Sequence, residues 1–187
     1  KGEKGDRGPQ GPDGKPGKDG IDGKDGITPL PASGQFPGMG KYISNRQIPV
    51  KTGADRGVDG WVIVSMDRDV ESINNYLPLG RELYNAESRL LTLKEIARGA
   101  IVRVTYDIEI ETFDSNTEVW AQTLLRGSQR QVNSFVAVVR YPDTNRLTIT
   151  HDFSVDNAAE RDNGAAFLIR TDYTAAVSLS SITISVS

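Results

Sequence analysis

Residues 101–112 read IVRVTYDIEIET. Val102, Val104, Tyr106, Ile108 and Ile110 fall in one phase of a two-residue period, while Arg103, Thr105, Asp107, Glu109 and Glu111 fall in the other. Successive side chains of a strand point to opposite faces, so one face of this segment meets a core and the other meets water.

The same alternation recurs on both sides of it. LTITHDFSV (147–155) places Leu147, Ile149, His151, Phe153 and Val155 together. It follows SFVAVVRYP (134–142) across Pro142-Asp143-Thr144-Asn145, and the two segments are predicted to pair as a hairpin. SFVAVVRYP is apolar in both phases, with Phe135, Ala137, Val139 and Tyr141 against Val136 and Val138. A strand buried on both sides suits a contact between subunits, which makes Phe135, Val136, Val138 and Val139, with His151 from the next strand, the candidates for it. Further strands are expected at WVIVSM (61–66), TEVWAQTLL (117–125), AAFLIRT (165–171) and AVSLSSITISVS (176–187). In the last, Val177 and Leu179 are out of phase with Ile182, Ile184 and Val186, so Ser180-Ser181 marks a bulge or an edge crossing. NAESRLLTLKEIARG (85–99) fits a helix over 86–98, with Asn85 and Gly99 as caps, and fits equally a strand followed by a turn. Eight or so short strands in residues 41–187 predict an all-β fold, a β-sandwich of jelly-roll type.

Ahead of this head the chain changes character. In KGEKGDRGPQGPDGKPGKDGIDGKDGIT (1–28), Gly2, Gly5, Gly8, Gly11, Gly14, Gly17, Gly20, Gly23 and Gly26 recur at every third position. Three polyproline II-like strands wind around one axis only where every third residue lacks a side chain, and flexible linkers do not keep that period. The repeat therefore predicts a collagen-like triple-helical stem and a homotrimer. Proline is scarce, with Pro9 and Pro12 at X positions and Pro16 alone at Y, so charge substitutes for it: Lys1 with Glu3 and Lys4 with Asp6 place a lysine one glycine before an acid. Exposed pairs of this kind contribute only about 0.2–1 kcal/mol each, so the head is expected to supply the trimer contacts. At about 3 Å per residue the stem spans roughly 80 Å and acts as a spacer. PLPASGQFPGMG (29–40) reads as a Pro/Gly junction, and Gly57-Val58-Asp59-Gly60 as an isolated turn. The first residue is Lys1 rather than Met, which leaves open a repeat beginning further upstream.

Several classes of function are disfavoured. Residues 1–28 carry six basic and six acidic groups and residues 29–187 carry sixteen and nineteen, so neither part offers a nucleic-acid surface. There is no cysteine for disulfides or thiolate ligands. No apolar run approaches the roughly 18 residues of a membrane span, and no segment resembles a secretory signal. Nucleotide, dinucleotide and zinc motifs are absent, so no cofactor or metal is expected.

A Gly-X-Y stem with lysine–acid pairs, joined to a cysteine-free, strand-rich head, resembles the collagen-like fibre proteins of bacteriophage virions. Their tips often resemble the tumour necrosis factor or complement-type jelly roll, and the terminal SLSSITISVS is similar to the final core strand of such tips. The resemblance implies a structural protein at the virion surface, outside the cell. Its N-terminal side would bind other virion proteins of capsid or tail, and its tip would point outward for host attachment. A bacterial collagen-like surface or exosporium protein shares this architecture, and a capsule depolymerase is the enzymatic alternative.

Candidate chemistry is sparse. His151, the single histidine, falls on the apolar face, where a core or interface role is expected; three copies near a trimer axis would respond to pH. Asp107, Glu109 and Glu111 share a strand face and read as a solvated surface rather than an acid–base pair. Asp114-Ser115-Asn116, Asp156-Asn157 and Asp162-Asn163 lack the ligand spacing of a calcium loop and read as turns. Aromatic rings bind sugars through their apolar faces, which makes Trp61 and Trp120 the candidate glycan contacts, with Tyr76, Tyr84 and Tyr173 behind them. Both tryptophans sit within predicted strands, where core packing is the simpler expectation.

Overall fold

The computed structural model describes residues 1–2, 5, 38–53, 60–73 and 81–187. Residues 1, 2 and 5 carry no regular structure. The rest of the glycine repeat, the stem charges Glu3, Lys4 and Asp6, the junction through residue 37, the 57–59 turn and Tyr76 lie outside the described residues.

The elements are β1 (Gly38–Ser44), β2 (Val50–Thr52), β3 (Val62–Ile63), β4 (Val70–Ile73), β5 (Tyr84–Asn85), β6 (Leu90–Leu91), β7 (Ile101–Thr112), β8 (Thr117–Leu125), β9 (Arg130–Val139), β10 (Thr144–Ser154), α1 (Ala158–Asn163), β11 (Ala165–Thr171) and β12 (Ala175–Val186). They form two antiparallel sheets. The first runs β10-β7-β12-β1-β4 with β2 against β12; the second runs β5-β6-β11-β8-β9 with β3 against β11. From β10 onward each strand lies in the other sheet from its predecessor, the wrapping of a jelly-roll β-sandwich.

The alternation in β7 becomes burial, since Val102, Val104, Tyr106, Ile108 and Ile110 are all essentially inaccessible. The Tyr106 ring crosses the gap between sheets and stacks on Phe167 at 3.8 Å with an interplanar angle of 17°. Tyr42, Ile149, Phe153, Ile182 and Ile184 from the first sheet and Val119, Leu125 and Ile169 from the second complete one core. Each large apolar side chain buried there contributes about 1.5–3 kcal/mol.

The expected hairpin of 134–142 with 147–155 does not form. β9 pairs with β8, whereas β10 lies in the other sheet against β7. The outward side of β7 explains the preference. Arg103 meets Asp152 at 2.8 Å, Thr105 meets Thr150 at 3.0 Å, Thr148 donates to Asp107 at 2.7 Å and Arg146 pairs with Glu109 at 3.3 Å. β9 offers no such complement, and residues 140–143 become the crossover between sheets.

Two smaller ambiguities also resolve. Residues 86–98 form no helix: Leu90–Leu91 pairs with Tyr84–Asn85 and turns follow, which lets Leu91, Leu93 and Ile96 all reach the core. β12 shifts register against β7 between Leu179 and Ser181, so the phase change in the sequence is a bulge at Ser180. The one helix among the described residues, α1, escaped periodicity because it has only six residues. Asn157 caps it by accepting from Glu160 N, and Gly164 ends it at φ +67°.

The sandwich has two distinct ends. Gly38 pairs with Val186, and Ile101 and Ser187 exchange backbone hydrogen bonds of 3.0 Å, so the chain enters the sandwich here. At the opposite end lie the connections 113–116, 140–143 and 172–174. β7 spans the distance between the two ends, about 36 Å for a strand of its length.

Candidate functional site: a cation–aromatic row on the outer face

Val119 and Ala121 in β8 are fully buried, so Trp120 between them stands on the outer face of the second sheet. Arg170 of β11 lies opposite it on one side and Phe135 of β9 on the other. Val62 pairs with Ile169, which brings Trp61 level with Arg170. The result is a row of Trp61, just ahead of β3, with Arg170, Trp120 and Phe135 on β11, β8 and β9. The guanidinium carbon of Arg170 lies 4.5 Å from the Trp120 ring centroid and 5.7 Å from that of Trp61. The Phe135 ring meets Trp120 edge-on, at 5.9 Å and 67°. Cation–π contacts are worth about 0.5–1 kcal/mol when exposed, so the row is ordered as well as accessible.

The two tryptophans are therefore half-buried on an outer surface rather than packed in the core. That position was legible for Trp120, whose phase in TEVWAQTLL opposes Val119 and Ala121. Arg170 was missed. Its phase in AAFLIRT also points outward, but alternation alone does not reveal that β11 and β8 are neighbours.

A register shift between Val119 and Trp120 leaves Val136 as an extra residue in β9. Phe135 and Val138 consequently face out, 57% and 42% exposed, while Val136 packs against the core, which accounts for a strand apolar in both phases. Val139 and His151 lie inside the sandwich of a single chain, 6% and 3% exposed. One row from Trp120, Gln122 sits beside Leu168 and Asn133; it is buried and its Oε1 has no hydrogen-bond partner.

His151 belongs to a buried network. Thr123 Oγ1 lies 2.8 Å from its Nδ1 and 2.9 Å from the Tyr106 hydroxyl, and Ser134 Oγ lies 2.7 Å from its Nε2. Burial lowers the His151 pKa, and Asp152, on the opposite face of the strand, raises it less. Burial likewise pushes the Tyr106 hydroxyl far up. The Ser134–His151 contact has the geometry of a nucleophile and base, but Nδ1 meets a hydroxyl rather than the carboxylate that orients the imidazole of a catalytic triad.

The remaining candidates are engaged locally. Asp107 accepts from Thr148 and Ser181 and, with Arg146, lines a groove of about 410 Å³ on the first sheet; Arg146 pairs with Glu109. Asp114 O accepts from Thr117, and Asn163 closes on Ala159 O. Among the described residues no group of three or more His, Asp or Glu side chains could hold a metal ion, and no helix is long and apolar enough to cross a membrane. Tyr84 is buried and Tyr173 is 49% exposed.

No family model and no curated protein matches the chain. Among solved structures it is similar to Eiger TNF from S. frugiperda, with 11% identity and a TM-score of 0.46 over 80% of this chain and 91% of that one. It is also similar to the CBM22-1 xylan-binding domain of Paenibacillus barcinonensis Xyn10C, with 9% identity and a TM-score of 0.32 over 78% and 85%. A cowpea mosaic virus empty particle matches at 10% identity and 0.28 over 81% and 80%. At these scores the likenesses assign no function.

Proposed function

We propose that this chain is a non-enzymatic structural protein, a homotrimeric bacteriophage fibre whose β-sandwich head binds host-surface glycans. The collagen-like stem of residues 1–28 attaches through its N-terminal side to other virion proteins, of capsid or tail, and holds the head at the virion surface. The observation that carries the recognition role is the outer row of Trp61, Arg170 and Trp120. Sugar rings present apolar C–H faces to aromatic rings, and a guanidinium fixed between two indoles presents N–H donors to hydroxyls.

Stoichiometry follows from the period-three glycines. In the head, β9 is an edge strand with Phe135 and Val138 exposed, a combination that invites pairing unless another surface covers it. A neighbouring protomer on β9 covers it and leaves Trp61 and Arg170, on the far side of β8, open. Three heads on one stem multiply weak glycan contacts into useful avidity.

Sedimentation of residues 1–187 and of the Val138→Asp variant tests the assembly: a trimer is expected, converted to monomer by the substitution. A glycan array probed with the intact trimer and with Trp61→Ala tests recognition. Retention lost in the variant supports the row, whereas no retention by the intact trimer removes the recognition role and leaves a purely architectural one.

A further inference from the structure

The end of the sandwich remote from Gly38 carries a second aromatic surface. Phe113 in the β7–β8 connection is 55% exposed, Tyr141 in the β9–β10 crossover 77%, and Tyr173 in the β11–β12 connection 49%. With Phe135 these are the exposed aromatic rings among the described residues. Among the described residues, the connections 126–129 and 155–164 at the entry end have no aromatic residue. None of the three rings is needed to fill the core, so their concentration at the far end calls for another role.

The loops that carry them are tied to one another. Thr112 N donates to Asp143 O at 3.1 Å, Asn116 N to Arg140 O at 3.3 Å, and Glu118 N to the Asp172 carboxylate at 2.7 Å. Thr171 Oγ1 donates to Tyr173 O at 2.7 Å, and the pairing of Ala175 with Thr112 sets the Tyr173 loop beside Phe113. A surface held this way loses little conformational entropy on binding. Among the described residues its charge is negative: exposed Asp114, Asp143 and Asp172, with Glu111 in the next row, outnumber Arg140 and Lys51. Carboxylates beside aromatic rings accept from sugar hydroxyls and repel uronates, sialates and phosphates.

We infer that this far end is a second subsite for neutral saccharides, formed by Phe113, Tyr141 and Tyr173. The inference rests on the glycan-binding reading of the head and assigns it a ligand class. Val138, beside Glu118 in the row between, lies on the surface that separates the two subsites.

The test is calorimetric titration of the full chain with linear hexasaccharides of glucose, mannose, galactose and xylose, and with hexagalacturonate. At least one neutral hexasaccharide is expected to bind, with hexagalacturonate at least tenfold weaker. Tyr141→Ala and Phe113→Ala each weaken binding about three- to tenfold, the range for a lost aromatic contact. The residual binding of Trp61→Ala is expected to disappear when Tyr141→Ala is added. If Trp61→Ala alone abolishes binding and Tyr141→Ala is neutral, the far-end subsite is wrong and the glycan reading stands. If no hexasaccharide binds the unaltered chain, both fall. Hexagalacturonate binding as tightly as the neutral sugars overturns the ligand class, and concentration-dependent association lost in Tyr141→Ala assigns the surface to a second copy instead.

Discussion

Ser134 Oγ and His151 Nε2 stand 2.7 Å apart, tying the edge strand of one sheet to the edge strand of the other where no backbone ladder joins them. Burial lowers the His151 pKa below its usual value. The unfolded chain therefore takes up a proton at higher pH than the folded one. Stability from this group is present above about pH 6.5 and is lost as pH falls below it. Guanidinium unfolding at pH 8, 7, 6 and 5 is expected to show a falling midpoint over the last two steps. His151→Gln keeps hydrogen-bonding capacity without a titrating ring and is expected to flatten that fall; an unchanged slope would mean that other groups set it.

Arg170 lies between two indoles, so its loss is read by tryptophan fluorescence. Arg170→Ala is expected to red-shift the emission and to lower stability by about 1 kcal/mol, within the range of cation–π contacts. Arg170→Lys recovers only part of this, because an ammonium lacks the planar face that stacks on a ring. Equal spectra for all three proteins would show that the row does not persist in solution.

Gly127 lies in the β8–β9 turn against α1, and a Cβ added there would stand 1.9 Å from Ala159 O. Backbone cannot yield as a side-chain tip can. Gly127→Ala is expected to displace the helix and lower stability by about 2 kcal/mol or more, a melting-temperature drop of roughly 4–8 °C for a domain of this size. Gly99, with open space around its Cβ position, serves as the comparison, although its φ of +84° makes alanine there mildly strained.

Glu160 is a buried carboxylate that accepts from Ser128 Oγ at 2.6 Å and Asp156 N at 2.7 Å, and pairs with Arg130, which also reaches Ser154 O. Burial alone would raise its pKa, but hydrogen bonds from Ser128 and Asp156 and the charge of Arg130 outweigh this, and the net shift is downward. A depressed carboxylate pKa contributes stability above the unfolded value, near 4.3, that is lost as pH falls through the folded one. Glu160→Gln is expected to cost about 2–3 kcal/mol at pH 7 and less at pH 3. Chemical denaturation at the two pH values measures the difference.

Removal of residues 1–37 separates stem from head. If the head nucleates assembly, residues 38–187 remain trimeric in sedimentation and the stem melts at lower temperature than the head in the full chain. A monomeric head would transfer assembly to the stem.

Strict alternation made β7 readable to the residue, because burial on one face imposes a period that turns and helices do not share. Neighbour relations were less accessible. LTITHDFSV and SFVAVVRYP are adjacent in sequence and both strand-like, yet β10 sits against β7, where its Asp152 and Arg146 find Arg103 and Glu109. Pairing across forty residues depends on complementary faces that no single segment displays. The outer row has the same origin. Trp61, Arg170, Trp120 and Phe135 come from four segments, and only the sheet order assembles them. The helix α1 is held by Asn157 and Glu160 rather than by an apolar stripe, so periodicity had nothing to detect.

The connections at 113–116, 140–143 and 172–174 are closed by strands whose pairing is fixed elsewhere, along β7 and β12 and between β8 and β11. Their residues can change, and their lengths can grow, without altering strand register or the entry of the chain at Gly38, since lengthening a loop costs only about 0.6 kcal/mol per doubling. A frame of this kind separates constancy of shape from freedom of surface: the sandwich can stay the same while the chemistry that its far-end loops display changes.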